Sequence, residues 1–287
     1  MSQTAPTSPL FLAWWNDVRE LFHSALALVL GKECAVCGQA WGVRPICDEC
    51  LRELPQTPYK GAPSNNMERL FWGDAIVERA NAAFWFQSHF DWAKVVYDIK
   101  YHGRKDLAHF MGRIMALQLY DTDFFEGVDA LLPVPIAENR FRKRGYNQSE
   151  ELAKGIAKII DVPIITDAVV RYIDHPSQTT MLKTERRDNV ANVFALVHPE
   201  KLEGKRVILV DDVITYSCTL SSLIRTLEKV PGLTIRVMTL CAAHRFRGGR
   251  LTEADLQLPD CKATFRPDEV RRYDPSKYNS ENSETLR

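Results

Sequence analysis

The sequence predicts an α/β protein with a mainly parallel sheet and flanking helices, preceded by a small N-terminal module built on four cysteines. Three observations carry this. From about residue 128, short continuous apolar runs alternate with helical periods, the pattern of strands buried on both faces by crossover helices. One of these runs, 207–210, ends in two adjacent carboxylates, Asp211 and Asp212, followed by a hydroxyl-rich loop and a helix. Ahead of the alternation, four cysteines fall within residues 34–50.

The elements follow in order. Residues 1–10 are rich in Ser, Thr and Pro, and from there to about residue 30 Leu12, Trp15, Val18, Phe22 and Leu26 recur at helical spacing. That stretch is an amphipathic helix, interrupted by Asp17, Arg19, Glu20 and His23 and so too polar to span a membrane. It lacks the basic start and cleavage site of a signal peptide, so a cytoplasmic chain without a membrane span is expected. The cysteine segment comes next, and Pro55, Pro58, Gly61 and Pro63 with Ser64, Asn65 and Asn66 read as a linker. Beyond it, residues 75–87 have strand character. Trp92, Val95, Val96 and Ile99 form a helix that Gly103 ends, and Leu107, Phe110, Met111, Ile114 and Leu117 form another. The later strand runs are 130–134, 163–166, 193–197, 207–210 and 235–240. Asn147, with Glu150 three residues on, caps a helix that turns Leu152, Ile156, Ile159 and Ile160 inward. Leu220, Leu223, Ile224 and Leu227 mark a helix between the last two strands. Four regions result: 1–30 with the amphipathic helix, 31–55 with the cysteines, 67–261 as the α/β domain, and 262–287 as a charged tail expected to be flexible.

Composition excludes several classes. With 45% hydrophobic and 26% charged residues, the 287-residue chain is neither disordered nor fibrous as a whole. Its 37 basic and 37 acidic residues cancel, so any attraction to nucleic acid or an anionic surface must be local. Seven cysteines without an export signal argue against a disulfide framework. Cys34-Ala-Val-Cys37 and Cys47-Asp-Glu-Cys50 instead form two C-x2-C knuckles, which close a tetrahedral shell around a structural metal. Zinc is expected, with iron in a rubredoxin-like site the alternative. Cys218, Cys241 and Cys261 have no such partners and read as small buried hydrophobes. The seven histidines are scattered, and none is assigned to catalysis or metal.

Asp211 and Asp212 emerge where parallel sheets bind ligands, at the carboxyl end of a buried strand. After them, Val213, Ile214, Thr215, Tyr216, Ser217, Cys218 and Thr219 lead into a helix. Such a loop offers backbone N–H groups and hydroxyls to an anion, reinforced by the positive end of the helix. The combination suits sugar hydroxyls on the acids and phosphate on the loop. A capped helix behind two solvated acids is the plainer alternative.

The segment Val-Ile-Leu-Val-Asp-Asp-Val-Ile-Thr-Tyr-Ser-Cys-Thr-Leu, 207–220, resembles the phosphoribosyl-pyrophosphate signature of type I phosphoribosyltransferases. Tyr216 stands where Thr is usual and Ser217 where Gly is usual, a position at which glycine lets phosphate approach the backbone. Further pieces occur in order: Asp98 through Lys100 and Gly103 to Arg104, Leu132-Pro-Val-Pro135, Arg144-Gly-Tyr-Asn-Gln148, and Gln178 through Glu185-Arg186-Arg187. With the four-cysteine module in front, residues 30–245 resemble the ComF family, including its GntX-like members. The resemblance implies a zinc ribbon joined to a phosphoribosyltransferase-type fold and a role in handling imported DNA in naturally competent bacteria. It implies phosphoribosyl pyrophosphate with Mg as ligand, and Asp211 and Asp212 on the ribose hydroxyls. Residues 213–219 would hold phosphate, the turn at Val134 and Pro135 pyrophosphate, and the segments at Arg144 and at Arg186 and Arg187 would cover it.

The basic runs Arg140-Phe-Arg142-Lys143-Arg144 and Lys183 to Arg187 suit a diphosphate, a DNA backbone or plain solvated loops. Lys100 and Arg104 straddle a helix end, where cations are favoured by the dipole alone. Two functions stay open at this point. One is a phosphoribosyltransferase-type enzyme with an unidentified acceptor; the other is a non-catalytic protein that uses the pocket as a ligand sensor and contacts single-stranded DNA or a DNA-uptake helicase. A zinc-stapled domain without ligand is the third and plainest reading.

Overall fold

The computed structural model describes residues 32–73, 75–86, 90–171, 193–214 and 218–243. The helix expected before residue 30 and the tail beyond 261 lie outside these. The N-terminal module opens with an antiparallel ribbon, β1 (Lys32–Glu33) and β2 (Ala40–Trp41). Its turn carries Cys34 and Cys37 and closes at Gly38, whose φ of 72° is left-handed and suits a residue without Cβ. The second cysteine pair brackets the start of α1 (Asp48–Glu53), where the Cys47 sulfur accepts the Cys50 N–H.

Residues 55–67 are not the free linker that their Pro and Gly content suggests. The Thr57 N–H donates to the Ala83 carbonyl and the Trp85 N–H to the Pro55 carbonyl, at 3.0 and 2.7 Å. Tyr59 and Met67 are buried, and α2 (Asn66–Arg69) is capped by the Asn65 side chain. The segment therefore covers the open edge of β3 (Arg79–Phe86), a task for which proline-bearing backbone is suited because it offers few donors to a further strand. Cys34, Ile46, Cys47 and Leu54 belong to the same apolar core as Phe84, Trp92, Met115 and Ile156. The cysteine module thus has no core of its own.

After β3 come α3 (Ala93–Tyr101), α4 (Lys105–Leu117), β4 (Ala130–Pro133), α5 (Glu138–Arg144) and α6 (Gln148–Ile160). They are followed by β5 (Val169–Arg171), β6 (Phe194–Leu196), β7 (Arg206–Ile214), α7 (Cys218–Leu227) and β8 (Thr234–Ala243). The expected parallel sheet is present: β3, β8, β7 and β4 pair in that order, every neighbour parallel. β7, which carries the acids, lies inside it.

Two runs read as sheet strands behave otherwise. Residues 163–166 add only one bridge, Ile164 to Leu131, along β4. The run 193–197 becomes β6, which pairs antiparallel with β5 in a separate ribbon and leaves Ala195 and Leu196 half-buried. A short apolar run reads the same whether one face or both are covered, so periodicity could not separate these cases.

α4 and α6 meet through glycine. A Cβ on Gly112 would lie 2.1 Å from the Leu152 carbonyl oxygen, and one on Gly155 would lie 2.2 Å from that of His109. The backbones therefore touch, with Leu107, Met111, Met115, Leu152 and Ile156 filling the core around them. At the amino end of the sheet, Glu78 receives Arg236 at 2.6 Å and Arg206 at 3.0 Å, an ion cluster that closes this end.

Replacing Gly155 or Gly112 with Ala forces a methyl into a backbone carbonyl, and the expected loss is about 3 kcal/mol, at the upper end for overpacking. Gly42→Ala, where nothing lies within 4 Å and φ is ordinary, serves as the control. Urea unfolding of the three variants checks this; a midpoint for Gly155→Ala equal to that of Gly42→Ala would show that the two helices separate at no cost.

Candidate functional site at the carboxyl end of the sheet

β7 does not stop at Val210 but carries the acids within the sheet, pairing Asp211 with Thr239 and Val213 with Cys241 of β8. Asp212 shares the strand parity of Ile208 and Val210, which face the core beneath α3, α4 and α6, so it meets α3 at its top. Lys100, in the last turn of α3, places Nζ 3.3 Å from Asp212 Oδ1, which also accepts the Val213 N–H at 2.6 Å. Asp211 Oδ1 accepts the Ser149 hydroxyl at 3.0 Å and the Asp212 N–H at 2.9 Å. These acids are not solvated: the Asp212 side chain is 15% exposed. Burial, and after it the charge of Asp212, pushes Asp211 up to about 7.

The β4 turn lies alongside. Val134 N–H donates to the Val210 carbonyl at 2.9 Å, which sets Val134 and Pro135 beside the acid pair. Asn147 links this turn to α6: its Nδ2 donates to the Val134 carbonyl at 3.1 Å while its Oδ1 caps the helix at the Ser149 N–H, as the sequence predicted. Arg144 is the last residue of α5. Its guanidinium stacks over the Tyr101 ring at 5.2 Å, and Gly145, with φ of 77°, turns the chain so that the Tyr146 hydroxyl donates to the Ile99 carbonyl. Lys105 lies over the other aromatic, 5.3 Å from the Tyr146 ring.

Sequence reasoning placed Lys100 at a helix end for dipole reasons and did not single out Ser149 or Arg171. The Arg171 guanidinium lies over Phe194 at 5.4 Å. Burial first, then Arg140, lowers its proton affinity, and the charge of Asp211 opposes them. An arginine ending a three-residue strand forms no motif, which left it without a signal. Thr215, Tyr216 and Ser217, and Arg186 and Arg187, lie outside the described residues, as does the Cys218 side chain. Ile214 is buried, Val213 half-buried and Thr219 exposed.

In the N-terminal module the sulfurs of Cys34, Cys37, Cys47 and Cys50 all lie within 4.8 Å of one another. A tetrahedral zinc with bonds of ~2.3 Å sets sulfurs about 3.8 Å apart, so the set fits such an ion with little movement. Burial works to raise the Cys34 thiol, but N–H groups of Cys47, Cys37 and Val36 outweigh it and hold the thiol down at about 6. Burial and then its three neighbours push Cys50 up. One readily ionised thiol among four close sulfurs is a donor set that a metal such as zinc can hold together. Among the described residues no helix is long and apolar enough to cross a membrane.

Residues 147–255 match the family model described as a phosphoribosyl transferase domain. The chain is 34% identical over 116 residues to Competence protein F of Haemophilus influenzae, covering 40% of this chain and 51% of that protein. It is 25% identical over 150 residues to the DNA utilization protein YhgH of Escherichia coli O157:H7, covering 51% and 65%. Against Competence protein ComFC of Bacillus subtilis the identity is 24% over 229 residues, covering 76% and 81%. The matched stretch thus spans about half of Competence protein F and under two thirds of YhgH. With a parallel sheet, flanking helices and a clustered set of four cysteines, the chain is similar to these competence and DNA-utilization proteins and carries a type I phosphoribosyltransferase-like fold.

Proposed function

We propose that the chain binds phosphoribosyl pyrophosphate at the carboxyl ends of β4 and β7. The observation that carries this is the convergence of Asp211 and Asp212, little exposed to solvent, with the Val134 turn, Ser149 and Lys100. The acid pair hydrogen-bonds the ribose 2- and 3-hydroxyls, and residues 213–219 supply N–H groups and hydroxyls to the 5-phosphate. Magnesium, when bound with the ligand, balances charge on the diphosphate and keeps part of its water. In a transfer reaction the acids would stabilise positive charge developing on the ribose ring, and no protein nucleophile is called for. The cation needed opposite the diphosphate comes from Arg171 and from the segment bearing Arg186 and Arg187. The names of the relatives support a role in competence and DNA uptake, and unbridged cysteines suit the reducing cytoplasm.

A second ligand is favoured by α5. This helix has no buried residue and exposes Phe141 beside Arg142 and Lys143, cations interleaved with an aromatic ring, as single-stranded DNA requires. In this reading a nucleic acid or a helicase partner meets α5 while the pocket senses the phosphoribosyl ligand.

Calorimetric titration with phosphoribosyl pyrophosphate and Mg should show binding by the wild type. Asp212→Asn should weaken it about 10- to 100-fold, the scale of a lost charge-assisted hydrogen bond, with an unchanged circular dichroism spectrum. Unaltered affinity in the variant, or no binding by the wild type, overturns the site.

We assign zinc to Cys34, Cys37, Cys47 and Cys50. Metal analysis should find about one zinc per chain, lost in the Cys34→Ser/Cys47→Ser variant. Because these cysteines share the core of the α/β body, chelation should lower the melting temperature of the whole chain in one transition. A body that melts unchanged without metal would mean that residues 31–55 form an independent unit.

For DNA, affinity for a single-stranded oligonucleotide should be weak, indifferent to sequence and steep in salt. Replacing Arg142 and Lys143 with Ala should reduce the slope of log K against log salt by about 1.4, at ~0.7 per cation. Arg144 is left intact because it holds Tyr101. An unchanged slope removes α5 as the contact.

A further inference from the structure

Two adjacent aspartates are equivalent by sequence, but their surroundings differ. Asp212 faces a cation, Lys100, at 3.3 Å. Asp211 is met by uncharged donors, the Ser149 hydroxyl and the Asp212 N–H. Nor is Lys100 an ordinary helix-end lysine extended into water: its side chain is 21% exposed and ends on a carboxylate. The residues on either side of it are fastened. The Ile99 carbonyl accepts the Tyr146 hydroxyl, Tyr101 carries the Arg144 guanidinium, and His102 Nδ1 pairs with Asp98 Oδ1 at 2.7 Å. A turn tied at three points delivers Lys100 to one acid and not the other.

We propose that Lys100 is a positioning residue: acting through Asp212, it determines which of the two adjacent carboxylates accepts the ribose hydroxyls of a phosphoribosyl ligand. This rests on the phosphoribosyl reading above and adds the reason for two acids rather than one. The Lys100 ammonium occupies one side of Asp212 at 3.3 Å and orients the rest of that carboxylate toward the ligand. Asp211, enclosed and next to Asp212, keeps its proton toward about 7 and can donate as well as accept. The groups facing the pair are Lys100 of α3, Tyr146 ahead of α6, Ser149 in α6, Arg171 of β5 and Cys241 of β8. Lys100 is the one among them that forms an ion pair with either acid among the described residues. Removing its charge makes the pair hold a proton to higher pH, since the two sites titrate together.

Carbon-13 NMR of aspartate carboxyls in the free protein tests this without ligand. In the wild type, one of the two should titrate near 7. Lys100→Gln should move the pair upward by about one pH unit, and Lys100→Arg should restore the wild-type curve. In calorimetry, Lys100→Gln should bind phosphoribosyl pyrophosphate about tenfold more weakly than wild type at neutral pH and recover as pH rises. Because the ligand's own ionisation is common to both proteins, the ratio at each pH isolates the acid pair. Carboxyl curves that superimpose in Lys100→Gln, with wild-type binding intact, overturn the role of Lys100 alone. A tenfold loss that is the same at every pH also overturns it, since Lys100 would then be touching the ligand directly. Wild-type protein that does not bind the ligand overturns the phosphoribosyl reading itself, whatever the carboxyl curves show.

Discussion

The contact between α4 and α6 governs where every other part of the site can be. With no Cβ at Gly112 or Gly155, each helix lays its backbone against a carbonyl of the other, at a separation that a methyl group would forbid. Two turns before Gly155, α6 begins, so the depth of the contact fixes where its first residues lie. There Ser149 meets Asp211 and Asn147 meets the Val134 turn. On the other side α4 follows α3 across a short turn at Gly103, whose φ of 68° is left-handed. Fixing α4 therefore also fixes the last turn of α3 and with it Lys100. A shift of one methyl radius between the two helices would pull the two halves of the site apart.

Seen from this contact, separate sequence motifs are parts of one interlock. The segment around Lys100 and the segment Arg144 to Gln148 are joined by Tyr146 on Ile99, Arg144 on Tyr101 and Lys105 on Tyr146. Burial pushes the Tyr146 hydroxyl up to about 12, so it stays a donor over the whole physiological range. Asn147 then passes the constraint to β4, and Ser149 and Lys100 pass it to β7. Residues of unrelated chemistry lie together because each closes a different side of the same small volume.

What the sequence made legible was local. An apolar run ending in two acids before a helix specifies a buried strand with carboxylates at its carboxyl end, and two C-x2-C pairs specify a clustered set of sulfurs. The Asn147 cap was readable for the same reason, since a cap is satisfied within three residues. What failed depended on distant partners. Residues 55–67 look like a linker until the open edge of β3 is known to need covering, and the run at β6 looks like a sheet strand until β5 is found beside it. Lys100 reads as a dipole cation until Asp212 is found at its tip. Cation chemistry is written in the residue type, but the partner is chosen by the packing of α3 on the sheet.

The acid pair also differs energetically from Glu78, an ion-paired acid at the other end of the sheet whose side chain is 33% exposed. Glu78 is an acid made to stabilise: burial would raise it, but Arg236 and Arg206 outweigh burial and hold its carboxyl below the usual range. Such a group adds stability at neutral pH and loses it as pH falls through its folded value. Asp211 has the opposite sign. Its folded value, about 7, lies above the ordinary 3.8, so the folded chain holds this proton more tightly than the unfolded one. Its contribution to stability is full in acid and declines as pH rises toward 7, which makes an ionised Asp211 a cost under ordinary conditions. Replacing either acid of the pair with a hydrogen-bonding neutral side chain would relieve that cost, and yet β7 keeps both. A fold that spends stability to hold two carboxylates side by side at a strand end, with one lysine biasing them, is arranged for an occupant that satisfies both.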